Sequence, residues 1–131
     1  MQNAKRKTMG ICEMSENIVE NKSFQFAVRI VNLYKHLTTD KKEYVMSKQL
    51  LKSGTSIGAN VAEAERGQTK ADFYAKLSIA LKESHETYYW LRLLYATEFL
   101  SEKEFYSMEC DIKEIIALLM AICKTTQQNQ K

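Results

Sequence analysis

Five apolar residues, Met46, Leu50, Ile57, Val61 and Ala64, hold one narrow stripe at about 100° per residue, and that stripe keeps its phase straight through Gly54 and Gly58. A turn at either glycine would break the phase, so both are read as lying inside one continuous helix. Each glycine costs a helix interior about 1 kcal/mol relative to alanine, which calls for a compensating contact. Gly54, Gly58 and Ala62 recur at every fourth position beside the stripe, making a shallow groove that a second helix backbone can approach closely. The steric argument is best attested between membrane helices and applies equally in a soluble bundle. Close packing, rather than a hinge, is the expected reason for the glycines.

The same periodicity marks three further helices. Phe24, Ala27, Val28, Val31, Tyr34 and Leu37 recur at three and four, and "TTD" then punctuates the pattern. Asp40 with Glu43 reads as a capping box for the glycine-bearing helix. Gly67 is a stop signal, and Thr69 is a plausible N-cap ahead of Asp72. The third helix has its main stripe at Phe73, Leu77, Ala80, Leu81, Ser84, Tyr88, Leu91 and Tyr95, while Ile79, Trp90, Leu93 and Leu94 lie well off it. A helix apolar on two sides must bury both, so the second face implies a subunit interface. Ser101 with Glu104 makes another capping box before Phe105, Met108, Ile112, Ile115, Leu119 and Ile122. The expectation is all-α, an antiparallel up-down four-helix bundle over 21–126, after a flexible or loosely packed segment at 1–20 and before a polar tail at 127–131. Asn60 lies close to the stripe and needs a hydrogen-bond partner if buried.

Several function classes are excluded or disfavoured. The longest wholly apolar run, Ile115 to Cys123, falls far short of the ~20 residues that span a bilayer. Lys5, Arg6 and Lys7 are followed by Glu13 and Glu16, which interrupt any signal core, so a cytoplasmic protein with no membrane partner is expected. Cys12, Cys110 and Cys123 show neither a disulfide framework nor zinc spacing. A di-iron bundle needs Glu-x-x-His motifs, but Lys82 and Leu33 stand three residues before His85 and His36. No metal, cofactor or catalytic residue is expected: there is no nucleophile elbow, Walker lysine, GxGxxG or HExxH. The chain reads as a non-enzyme.

Charge is distributed unevenly. Lys22, Arg29, Lys35, Lys41, Lys42, Lys48 and Lys52 face only Asp40 and Glu43 between positions 22 and 52, a net of +5, whereas 98–114 carries −4. The basic segment is the candidate nucleic-acid-binding surface, with Lys35, Lys41, Lys42, Lys48 and Lys52 expected on phosphates and Arg29 and Lys22 as weaker candidates. With no aromatics clearly interleaved, the contact is expected to tolerate any sequence. The alternative is a structural or adaptor protein that docks another protein through the acidic fourth helix or exposed aromatics.

"QLLKSGTSIGANVAEA" from Gln49 and "DFYAKLSIALKESHETYYWLRLL" from Asp72 resemble a bacterial four-helix bundle family that includes proteins encoded in intervening sequences of large-subunit ribosomal RNA genes. The matching positions are Ser56, Ile57, Asn60, Ala62 and Glu63, then Glu83, Glu86, Trp90 and Leu91. The resemblance implies an antiparallel bundle that assembles into ring-like homo-oligomers, with pentamers favoured. A related group, the accessory variability proteins of retroelements, binds nucleic acid through a basic surface. This chain departs from that group in being only mildly basic and in its acidic fourth helix. The basic segment and the resemblance together favour RNA over DNA as the nucleic acid. The small-residue spacing, the place of Asn60 beside the stripe and the off-stripe apolar face make Gly54, Gly58, Ala62, Asn60, Ile79, Trp90, Leu93 and Leu94 the candidate helix-packing or oligomer residues.

Overall fold

The computed structural model describes residues 11–130, with side chains from 17 to 125. The first half of the segment expected to be loose, residues 1–10, and the side chains of the 127–131 tail lie outside that range. Four helices follow one another: α1 (Ile11–Thr39), α2 (Met46–Ala64), α3 (Lys70–Ala96) and α4 (Glu102–Gln130). Each packs on its sequence neighbour and α4 closes back on α1. Short connections reverse the chain each time, so the described residues form an all-α, up-down four-helix bundle without strands.

The stripes of α2 and α4 point inward as their spacing requires. Leu50, Ile57, Val61, Ile112 and Leu119 are fully buried, and Phe105, Met108, Ile115 and Ile122 nearly so. Each such side chain stabilises the fold by about 1.5–3 kcal/mol. Between α2 and α3 the core turns polar at one point, where the buried hydroxyls of Ser53 and Thr87 are hydrogen-bonded 3.0 Å apart.

Both glycines lie within α2, and α1 is what approaches them. A Cβ on Gly54 would stand 2.7 Å from Ile30 Cγ1 and 2.9 Å from both Cδ1 and Cγ2. On Gly58 it would stand 3.2 Å from the backbone oxygen of Ser23. Ala62 is exposed, so the close approach covers two of the three small residues.

Four expectations are corrected. α1 begins before Ser23: residues 11–20 are helical, and Val19 is buried in the core although the segment lacks a sustained period. The buried face of α1 is Val19, Ser23, Phe26, Ile30 and Leu37, whereas Phe24 and Val28 are 63% and 43% exposed. α1 is apolar on more than one side, and the face that wins is the one whose backbone fits against the glycines. Asp40 does not cap α2, because α1 runs on through Thr39 and Asp40 sits 2.7 Å from His36 Nδ1. Gly67 does not act as a left-handed stop: α2 already ends at Ala64 with Glu65 as its C-cap, and no glycine among the described residues has a positive φ. The Thr69 cap and the Ser101–Glu104 box form as written: Asp72 N donates to Thr69 Oγ1, Ser101 N donates to Glu104 Oε1, and Glu104 N donates to Ser101 Oγ.

Candidate nucleic-acid interface

The connection from α1 to α2 is built around one buried carboxylate. Lys42 takes a left-handed backbone with φ 58°, and Glu43 N donates to Leu37 O at 2.9 Å, which closes the end of α1. The Glu43 side chain then accepts from the backbone N–H groups of Val45, Met46 and Ser47 at 3.1, 3.0 and 2.6 Å. Those are donors that the first turn of α2 would otherwise leave unsatisfied. Burial alone would push the Glu43 carboxyl up, but the donors of Ser47, Met46 and Val45 outweigh it and hold the group below its ordinary value. The turn is therefore rigid, and it faces outward: Lys41, Lys42, Tyr44, Val45 and Lys48 are all exposed.

The structure divides the sequence-predicted cations into two sets. Lys22 Nζ lies 3.0 Å from Glu114 Oε1, and Arg29 hydrogen-bonds Asp111 and Ser107, so both are tied to α4 along the α1–α4 seam. His36 Nε2 continues that seam at 3.3 Å from Glu104. Lys35, Lys41, Lys42 and Lys48 are exposed and, among the described residues, make no ion pair. Lys52 is exposed on α2, where its charge reaches Glu83 of α3. Burial, with repulsion from Glu86 behind it, pushes Glu83 above its ordinary value.

The candidate packing residues also separate. Leu94 is fully buried in the core of its own subunit, which removes it from any interface. Ile79 is 43% exposed; Trp90 is half-buried with part of its surface packed against the core, and Leu93 is half-buried at the edge of the α3–α4 cleft. The Trp90 indole N–H donates to Glu86 at 3.2 Å. Asn60 is half-buried, and its amide donates to Ser56 O in its own helix. Glu63 pairs across to Lys76 at 3.0 Å instead of locally with Arg66.

Two features escaped the sequence reading. Tyr44 stands among the lysines of the turn, and its signal was present in "KKEYVMSK" at Lys41 to Lys48. A cleft of about 490 Å³ opens between α3 and α4, lined by Tyr88, Tyr89, Tyr95, Phe105 and Tyr106 with Arg92 and Glu109. Two of its polar groups, Tyr88 and Glu109, pair with each other. Tyr88 Oη donates to Glu109 at 2.6 Å, which raises the phenol and lowers the carboxylate, and Lys113 lies 3.5 Å from the same Glu109 oxygen. No group of three metal-ligating side chains is found among the described residues, and none of their helices is long and apolar enough to cross a membrane.

The pattern of the family described as 23S rRNA-intervening sequence protein matches residues 15–121. A crystal structure of a protein of unknown function from the S23 ribosomal protein family of Bacteroides thetaiotaomicron is 56% identical. The match covers 84% of this chain and 98% of that one, with a TM-score of 0.83. The comparison with curated proteins gives no match. The matched span runs through all four helices, and on that ground the chain belongs to the 23S rRNA-intervening sequence protein family.

Proposed function

We propose that this protein is a non-catalytic, cytoplasmic homo-oligomer that binds nucleic acid through the α1–α2 end of the bundle. The observation that carries the reading is the set of four exposed lysines, Lys35, Lys41, Lys42 and Lys48, that form no ion pair among the described residues. The α2 N-terminal donors belong to Glu43, so phosphates would be held by the lysine side chains. Four such contacts give a log-log salt slope of about −3 per subunit on a single strand. The family's name links it to intervening sequences of 23S rRNA, which makes RNA the first strand to test.

Self-association is supported by two outward apolar faces. Phe24 and Val28 belong to α1, and Ile79, Trp90 and Leu93 to α3, its diagonal partner. When two different faces meet each other they join head to tail, and such an interface closes into a ring such as a pentamer when the rotation between subunits closes. The α3–α4 aromatic cleft favours a second reading, an adaptor that docks a protein there.

The test is binding to labelled RNA and DNA over a salt series, with mass by light scattering in the same buffers. Changing Lys41, Lys42 and Lys48 together to Glu should abolish binding and leave the mass unchanged. Wild-type affinity in that variant would sink the assignment.

A further inference from the structure

The basic turn carries two side chains that its charge does not explain. Tyr44 is 59% exposed and Val45 is 73% exposed, the most water-exposed large apolar residue among the described side chains. They are not there by looseness. The left-handed Lys42, the Glu43 N–H to Leu37 O bond and three backbone donors on the Glu43 carboxylate fix the segment from both sides. A rigid turn that holds an aromatic ring in water, flanked by Lys41, Lys42 and Lys48, pairs a stacking surface with cations that track a backbone.

We propose that Tyr44 is a stacking platform for an unpaired nucleobase, and that the α1–α2 turn therefore selects single-stranded over duplex nucleic acid. This rests on the nucleic-acid reading above and gives it a strand preference. In a duplex the base faces are already stacked, so the ring gains nothing; on a single strand each base has a free face. The rest of this end of the bundle narrows the path. The α3–α4 connection at this end carries Glu98, Glu102 and Glu104 against Lys103, with the charges of His36 and Lys41 reaching Glu104, so its net acidity favours a polyanion on the α1–α2 side. Val45, beside the ring, covers the edge of the stacked base. Stacking on a ring accepts any base face, so the preference is for strandedness and not for sequence.

The experiment uses the full chain and two probes, an oligothymidylate and an abasic deoxyribose-phosphate strand of equal length, which present the same charge with and without bases. Tyr44→Ala should weaken the oligothymidylate by roughly tenfold, leave the abasic strand untouched and keep the salt slope. Tyr44→Phe and Tyr44→Trp should restore affinity, since each keeps a ring. If Tyr44→Ala binds oligothymidylate like wild type while the triple lysine variant does not bind, the platform is overturned and the electrostatic reading stands. Equal losses on both probes would also overturn it, placing Tyr44 on the backbone or in the fold. If neither strand binds at low salt, the nucleic-acid reading falls and takes the platform with it. Binding of anionic phospholipid vesicles that depends on Tyr44, without strand binding, would reassign the turn to a membrane surface.

Discussion

Gly54→Ala adds one methyl group to α2, and the structure says where it goes. The new Cβ would lie 2.7 Å from Ile30 Cγ1 and 2.9 Å from Cγ2 and Cδ1. That is roughly 1 Å inside the ~3.5–4.0 Å optimum for two carbons. Ile30 is fully buried and β-branched, so turning χ1 exchanges one carbon for another without clearing the space. The helix gains about 1 kcal/mol by losing a glycine, and overpacking costs ~1–3 kcal/mol. The net expectation is a loss of about 1 kcal/mol, or roughly 4 °C in Tm for a chain of this length. The sharper result is the cycle. Ile30→Ala removes all three offending atoms, so in that background Gly54→Ala should become stabilising by about 1 kcal/mol, its helix propensity alone. The coupling near 2 kcal/mol is read from urea midpoints with the m value held as a check on two-state behaviour. Gly58→Ala serves as the comparison: its Cβ meets the Ser23 oxygen at 3.2 Å, which a shift of a few tenths of an ångström relieves, so it should cost less. If Gly54→Ala stabilises the parent protein, or has the same effect in both backgrounds, the glycine is not there to admit Ile30.

Two further outcomes follow from the connections. Glu43→Gln should destabilise the fold by about 1–3 kcal/mol at neutral pH, because it removes a charged acceptor from three backbone donors. The folded pKa of Glu43 lies below the ordinary 4.5, so its contribution is complete above that value and disappears as pH falls through the folded pKa. The gap between wild type and Glu43→Gln should therefore hold from neutral pH down to about 4.5 and narrow in more acid; a gap that widens in acid would contradict the assignment. Glu98, exposed in the α3–α4 connection, has φ 69° in a Schellman turn where its N–H bonds Tyr95 O and Phe99 N bonds Leu94 O. Glu98→Gly should raise stability by about 1 kcal/mol on relief of the left-handed strain, seen as a higher urea midpoint, and a drop would refute it.

What was legible in the sequence was whatever a single helix decides for itself. The α2 and α4 stripes, the Thr69 cap and the Ser101–Glu104 box depend on neighbours within one or two turns, and spacing states them directly. The facing of α1 was not legible. Phe24 and Val28 repeat as well as Phe26 and Ile30 do, and the choice between them is made by the fit of Ser23 and Ile30 against Gly58 and Gly54, a contact between residues some thirty positions apart. The cap of α2 failed for a similar reason. The Asp40–Glu43 spacing is a valid box, but His36, one turn back, holds Asp40, and α1 extends over the expected break. Leu94 looked surplus to its helix because the inward arc of α3, which faces both α2 and α4, is wider than one stripe. At the candidate site the lysines were legible as charge and Tyr44 was not legible as exposed, since only the folded turn distinguishes a core aromatic from a displayed one.

The fold also changes what the charge segments mean. In sequence, the basic stretch before residue 52 and the acidic stretch after 98 suggested a two-sided molecule. In the bundle α1 and α4 are neighbours, and Lys22–Glu114 and Arg29–Asp111 set the opposing charges against each other along one seam. These pairs are partly exposed, and each contributes little to stability, about 0–1 kcal/mol. Their larger effect is on the surface potential. Pairing takes two of the seven basic residues of 22–52, together with the acids nearest them, out of the far field, and the four lysines left without a partner gather toward the turn that displays Tyr44. A net charge of only +3 is then no argument against a polyanion partner, because what a phosphate chain meets at short range, within the ~10 Å over which salt screens, is the local cluster and not the total. If subunits associate in a ring through the outer faces of α1 and α3, the symmetry places that turn at the same end of every copy, and the cluster repeats around the rim.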